Sequence, residues 1–248
     1  MLIVQISDLH VGSQFLQDKF DQLVQEVNQI HPDVIVVTGD LTNEGLMKEY
    51  EECKALLTRF NAKKIITISG NHDYRNTGYL LFKKYFPFET INELDENVVL
   101  VTLGTARPDR NEGEVGYRQN LWLERTMKKY KDQVKILAMH HHLVAIPDTG
   151  SDQLTVIDAG DVLRTILDTQ VDLVLCGHKH RPWAWNFGKL MVVNAGTATS
   201  ERVRGLFENT YNIISISNKS FQVDLKIVGG KRIPINDIVT NYHQFGDE

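Results

Sequence analysis

The 248-residue chain has only two cysteines, no run rich in Lys or Arg, and no apolar stretch near the ~20 residues of a membrane span. Each scarcity excludes something. Cys53 and Cys176 lie inside apolar patterns, cannot form a disulfide framework, and suit small buried thiols in a reducing compartment. With 27 Lys+Arg against 32 Asp+Glu, the formal net charge is −5, which leaves no electrostatic footprint for nucleic acid or a membrane surface. The segment Met1 to Asp8 has no basic region before its apolar one and turns polar too soon for a secretory leader, so a cytoplasmic protein is expected. A composition that is 42% hydrophobic and 24% charged excludes a disordered chain, and no repeat or low-complexity linker divides it. Residues 1–248 are therefore read as one domain, with a homo-oligomer left open.

Short apolar runs occupy Leu2 to Ile6, Val34 to Val37, Ile65 to Ile68, Val134 to Met139 and Val171 to Leu175, each with the look of a buried strand. Phe20, Leu23, Val24, Val27 and Ile30 recur at helical spacing between the first two, and Leu46, Tyr50, Cys53, Leu57 and Phe60 between the second and third. Strand alternating with helix predicts right-handed βαβ units and a largely parallel sheet. A further helix is expected over Ala159 to Leu167, with Val162, Leu163, Ile166 and Leu167 inward. A second set of runs, Val98 to Leu103, Leu190 to Val193, Tyr211 to Ile216 and Phe221 to Val228, has little helix between its later members and predicts a mixed or antiparallel sheet. Two sheets in a chain of this size suggest a layered α/β sandwich with helices outside.

The first five runs end in chemistry. They lead into Asp8-Leu9-His10, Gly39-Asp40, Gly70-Asn71-His72-Asp73, His140-His141-His142 and Gly177-His178-Lys179-His180. Ligand sites of open α/β sheets lie beyond the carboxyl ends of the strands, so these segments should meet in one crevice. Side chains alternate along a strand, and on that basis Asp8 and His10 should point the same way, as should His178 and His180. Carboxylates, an amide and several imidazoles without thiolate suit borderline to hard divalent ions such as Mn, Fe, Zn or Co. There are too many ligands for one ion. A carboxylate such as Asp40 can bridge two ions ~3.5–4 Å apart, and a metal-bridging hydroxide, formed because coordination lowers the pKa of water to about 7, then serves as nucleophile at phosphorus.

These motifs, in this order over Asp8 to His180, resemble the motif set of the calcineurin-like metallophosphoesterases. Within that superfamily, Gly70-Asn71-His72-Asp73 and the later Asn194-Ala195-Gly196-Thr197-Ala198-Thr199 resemble the bacterial class III cyclic-nucleotide and glycerophosphodiester phosphodiesterases. The resemblance implies a four-layer αββα sandwich of two mixed β-sheets flanked by helices. It implies that Asp8, His10 and His180 hold one ion, that Asp40 bridges, and that Asn71, His140 and His178 hold the other. His72 would contact the phosphate and protonate the leaving alkoxide. Relatives often continue the fourth motif with prolines where this chain has His142 and Leu143; His140 is chosen because it follows the strand directly, and His141 is the alternative.

The expected activity is a metal-dependent phosphodiesterase acting on a small phosphoester, without nucleic-acid or membrane partners. A phosphomonoesterase, nucleotide pyrophosphatase or nuclease would use the same site, and an inactive binding module would keep the fold with eroded ligand positions. Arg75, Arg107, Lys179, Arg202 and Arg204 are candidates to touch a phosphate, although exposed arginines are ordinarily only solvated. His31 and His243 are read as surface residues, and His142 as a pocket wall or a structural residue. The polar loops Thr105 to Gln119 and Pro147 to Asp158 are candidate pocket walls. Trp183 and Trp185 are read as core or edge packing rather than base stacking.

Overall fold

The computed structural model describes residues 1–88, 90–150, 155–204 and 208–240. Two six-stranded sheets pack face to face. The first orders β12 (Arg232–Pro234), β11 (Ser220–Ile227), β10 (Thr210–Ser217), β1 (Leu2–Ile6), β2 (Val34–Val37) and β3 (Lys64–Thr67). The second orders β4 (Ile91–Asp95), β5 (Val98–Thr102), β6 (Val134–Ala138), β7 (Leu173–Cys176), β9 (Leu190–Asn194) and β8 (Trp183–Phe187). Strands β1, β2 and β3 are parallel, as are β5, β6, β7 and β9, and the outer strands pair antiparallel to them.

The apolar runs are continuous because both faces of each sheet are covered. Ile3, Val34 and Val36 face the second sheet, where they pack with Leu100, Ile136 and Leu173. Their neighbours Val4, Ile35 and Val37 face α1 (Gln17–Ile30) and α2 (Met47–Leu57), joined by Phe82 of α3 (Gly78–Tyr85). On the far side of the second sheet, Val99, Val101 and Leu137 pack under α4 (Tyr117–Met127) and α5 (Ala159–Asp168). The period of two along each strand thus divides one run between two layers, and the result is the αββα sandwich.

Three expectations are corrected. The first set of runs does not form one largely parallel sheet, nor the second set one mixed or antiparallel sheet: β6 and β7 join β5 in the second sheet, while β10 and β11 extend the first. Hydrophobic pattern reports burial, not partner, and each sheet keeps a parallel centre with antiparallel additions. Leu167 is 50% exposed, because Val162, Thr165 and Ile166 form the inner stripe of α5 and the next residue turns ~100° away from it. The loop from Thr105 ends at Gly116, where α4 begins, rather than at Gln119.

Trp183 and Trp185 sit on edge strand β8 with their rings 5.9 Å apart, as packing residues. His31 is an exposed helix-ending residue, and His243 lies outside the described residues. Residues 229–240 add β12 to a sheet edge and bury Ile235 and Ile238 of α6 (Ile235–Thr240) in the inter-sheet layer. Among the described residues no helix is long and apolar enough to cross a membrane.

Ile136→Ala, which empties part of the layer between the sheets, is expected to lower unfolding free energy by about 2–5 kcal/mol, and Leu167→Ala to change it by less than about 0.5 kcal/mol. Urea denaturation of both variants checks the pair.

Candidate metal centre

The carboxyl ends of β1, β2, β3, β6 and β7 open onto one side of the sandwich and bring the five motifs together. Donor atoms of Asp8, His10, Asp40 and His180 lie within 4.8 Å of one another. His10 Nε2 is 3.7 Å from Asp40 Oδ2, and His180 Nε2 is 2.8 Å from His10 Nε2 and 3.4 Å from Asp8 Oδ1. Beside them is a second group. Asn71 Oδ1 lies 3.1 Å from His140 Nε2 and 2.8 Å from His178 Nδ1, and His140 Nε2 is 3.4 Å from the same Asp40 Oδ2. All seven predicted ligand residues are therefore together, with Asp40 between the two groups.

Their convergence has a different cause from the strand alternation expected. β1 stops at Ile6 and β7 at Cys176, and the residues beyond leave the extended conformation. Asp8, His10, Asp40, His178 and His180 all have left-handed backbone, with φ of 54°, 51°, 49°, 77° and 55°. Non-glycine residues in that region cost about 1–3 kcal/mol each when strained, and such conformations persist where the surroundings over-determine them. Here they turn side chains from successive residues into one volume. At Gly70 even a β-carbon is excluded, because it would sit 2.1 Å from Asp40 Oδ1.

Several of the rings are oriented from behind. His140 Nδ1–H donates to the Thr38 carbonyl at 2.8 Å and His180 Nδ1–H to the Arg202 carbonyl at 2.6 Å, so that Nε2 of each ring faces the carboxylates. His72 Nδ1–H likewise donates to the Asn43 carbonyl at 2.7 Å, and the His72 backbone N–H donates to Asp40 Oδ1 at 2.8 Å. Asn71 Nδ2–H donates to Asn111 Oδ1 at 3.3 Å, which turns its oxygen to the imidazoles. His141 is bound differently: Nε2–H donates to the Asn111 carbonyl at 3.1 Å, and Nδ1 accepts from the Thr105 hydroxyl at 2.8 Å. His141 does group with His140 and His178 by proximity, but both of its nitrogens are engaged. His142 is fully buried and stacks on His178 with ring centroids 5.7 Å apart.

Burial holds His10 and His178 well below the ordinary imidazole range, so both rings stay neutral and keep a lone pair to give. Burial opposes the charge of Asp40, but His140, His72 and His10 around it outweigh that and hold its carboxyl well below the usual range. Burial also opposes charge on His140, yet Asp40 lifts it to about 9. His142 is pushed down to about 3 by burial and then by Lys179.

The sequence did not single out the residues that brace these loops. Asp73 accepts from the backbone N–H groups of Gly70 at 2.8 Å, Leu41 at 3.2 Å and Thr42 at 2.8 Å, and from the Thr42 hydroxyl at 2.8 Å, tying the second motif to the third. Tyr50 of α2 donates to the Asp73 carbonyl. Thr197 and Thr199 donate to the carbonyls of Asp8 and Leu9 at 2.6 and 3.0 Å, so the stretch after β9 clamps the first motif. The alternation of these two threonines was the signal available.

A pocket of about 130 Å³ opens above the centre, reached by Asp40, Asn71, His72, His178 and His180. Asn111, Arg75, Lys179, Arg202 and Arg204 complete its lining. Arg107 is elsewhere, paired with Glu112 and Glu114. Of the loop 147–158, Thr149 meets the Arg204 guanidinium through its carbonyl at 3.1 Å, and 151–154 lie outside the described residues.

Residues 1–182 match the pattern of the calcineurin-like phosphoesterases, and the chain belongs to that family of dinuclear metal-dependent phosphohydrolases. Among relatives, a probable glycerophosphodiester phosphodiesterase of Arcobacter nitrofigilis is 27% identical over 218 residues, 81% of this chain and 80% of that protein. A cAMP/cGMP dual specificity phosphodiesterase of Mycobacterium tuberculosis is 28% identical over 198 residues, 72% of this chain and 61% of that protein. The fold is shared with a dimetal phosphatase of Danio rerio, with a TM-score of 0.76 at 11% identity over 95% of this chain and 98% of that one.

Asp73→Asn places an N–H group among donors that need an acceptor and is expected to cost about 1–3 kcal/mol of stability. An unchanged urea midpoint would show that the carboxylate does not hold the loops together.

Proposed function

We propose that the chain is a phosphodiesterase for a small phosphodiester, of the cyclic-nucleotide or glycerophosphodiester class, working at a centre of two divalent ions. The observation that carries it is the position of Asp40, with Oδ2 at 3.7 Å from His10 Nε2 on one side and 3.4 Å from His140 Nε2 on the other. Imidazoles, carboxylates and an amide oxygen fit Mn, Fe, Zn or Co, and the relatives' names support the diester. Asp8, His10 and His180 would hold one ion, Asn71, His140 and His178 the other, with Asp40 shared. Ions bound there supply Lewis acidity and hydroxide at neutral pH.

The chain's own residues do the rest. His72 borders the pocket, and its Nδ1–H bond to the Asn43 carbonyl leaves Nε2 as the atom able to exchange a proton with a leaving alkoxide. The same residue's backbone N–H keeps Asp40 from rotating. His140 is favoured over His141 in the fourth motif because its Nε2 faces Asn71 Oδ1 and Asp40 Oδ2, the other candidate donors, whereas the nitrogens of His141 are taken by the Asn111 carbonyl and the Thr105 hydroxyl. The two sheets both contribute to the site, which supports one functional domain, and the free buried thiols of Cys53 and Cys176 suit the cytoplasm.

Asp40→Ala is expected to lower hydrolysis of bis(p-nitrophenyl) phosphate by about 10³-fold or more, and His72→Ala by about 10²–10⁴-fold. Assays of metal-stripped protein reloaded with each ion, on matched p-nitrophenyl mono- and diesters, test this; a monoester preference or wild-type-like turnover in either variant contradicts it. His140→Ala should retain one ion per chain and His141→Ala two, counted by elemental analysis. The reverse pattern would transfer the ligand role to His141.

A further inference from the structure

The pocket above the centre holds more positive charge than one diester group needs. Two divalent ions bound there, set against Asp8, Asp40 and a hydroxide, would already balance the single charge of a phosphodiester. Four cationic side chains are added to the lining. One of them is balanced: the Arg75 guanidinium donates to Glu44 Oε1 at 2.7 Å. Arg202 and Arg204 are matched by no carboxylate among the described residues.

The backbone of Arg202 and the side chain of Arg204 are also anchored. The Arg202 carbonyl is held by His180 Nδ1–H at 2.6 Å, which fixes its backbone to a candidate ligand, and the Arg204 guanidinium is bonded to the Thr149 carbonyl at 3.1 Å. Anchoring lowers the conformational entropy lost when a ligand binds. Among the described lining residues the rings are imidazoles and there is no aliphatic side chain. Guanidinium groups match phosphate oxygens in a bidentate geometry.

Resting on the phosphodiesterase reading above, we infer that the substrate carries a second phosphate outside the scissile diester, and that Arg202 and Arg204 recognise it. The two arginines are specificity determinants. They bind the remote phosphate, while the diester is held at the centre.

The test compares glycerophosphoinositol with glycerophosphoinositol 4-phosphate, which differ by one phosphate, as competitors of bis(p-nitrophenyl) phosphate hydrolysis by the full chain reloaded with Mn²⁺. Inhibition constants report binding whether or not either compound is turned over. The 4-phosphate is expected to bind at least about tenfold more tightly, the scale of one charge-assisted phosphate contact, with that ratio shrinking as salt rises. In the double variant Arg202→Gln/Arg204→Gln the ratio should fall below about threefold, and in Arg107→Gln it should persist. Equal constants in the wild type, or a ratio undiminished in the double variant, overturn the inference while diester hydrolysis stands. Absence of diester hydrolysis with every metal overturns the reading beneath it instead.

Discussion

A single buried carboxylate organises this molecule. Asp40 follows the second strand, is 1% exposed, and faces both groups of donors at once. An unpaired charge so deep would be prohibitively costly, and the imidazoles of His140, His72 and His10 offset that cost electrostatically. The surrounding restrictions follow. Gly70 must lack a side chain where its β-carbon would collide with Asp40, and the His72 amide must point inward to bind Oδ1. Asp73, two residues beyond Asn71, holds the loops after β2 and β3 at the spacing that lets Asp40 reach both sides.

The architecture serves that placement. Asp8, Asp40 and Asn71 come from the first sheet, and His140, His178 and His180 from the second. A dense layer containing Ile3, Val36, Leu100 and Ile136 fixes the spacing of the sheets, and hence the approach of the two halves of each donor group. Left-handed residues at the strand ends then aim the side chains. Their conformational cost is borne by a rigid scaffold, the usual place for strain at a functional site. Behind the imidazoles, carbonyls of Thr38, Asn43 and Arg202 select the ring nitrogen that looks inward.

Much of this was legible before any coordinates. Apolar runs disclosed most of the central strands, and the ligand-type residues at five strand ends disclosed the centre, because both signals are local: period and adjacency are written in the sequence. Sheet membership was not, since Val134 to Met139 and Val34 to Val37 look alike while belonging to different sheets. Nor was the backbone geometry of Asp8, His10 and His178, which depends on packing from residues up to Thr199. Leu167 misled because both members of the adjacent pairs Val162–Leu163 and Ile166–Leu167 on α5 cannot face inward together. The choice between His140 and His141 needed the hydrogen bonds of Thr38, Thr105 and Asn111, none of them near in sequence.

The most direct test of Asp40 as the shared ligand is anomalous diffraction from crystals of the full chain grown with Mn²⁺. The account predicts two peaks about 3.5–4 Å apart, one on each side of Asp40, with His140 and not His141 at the second. A single peak, or two that do not share Asp40, would contradict it.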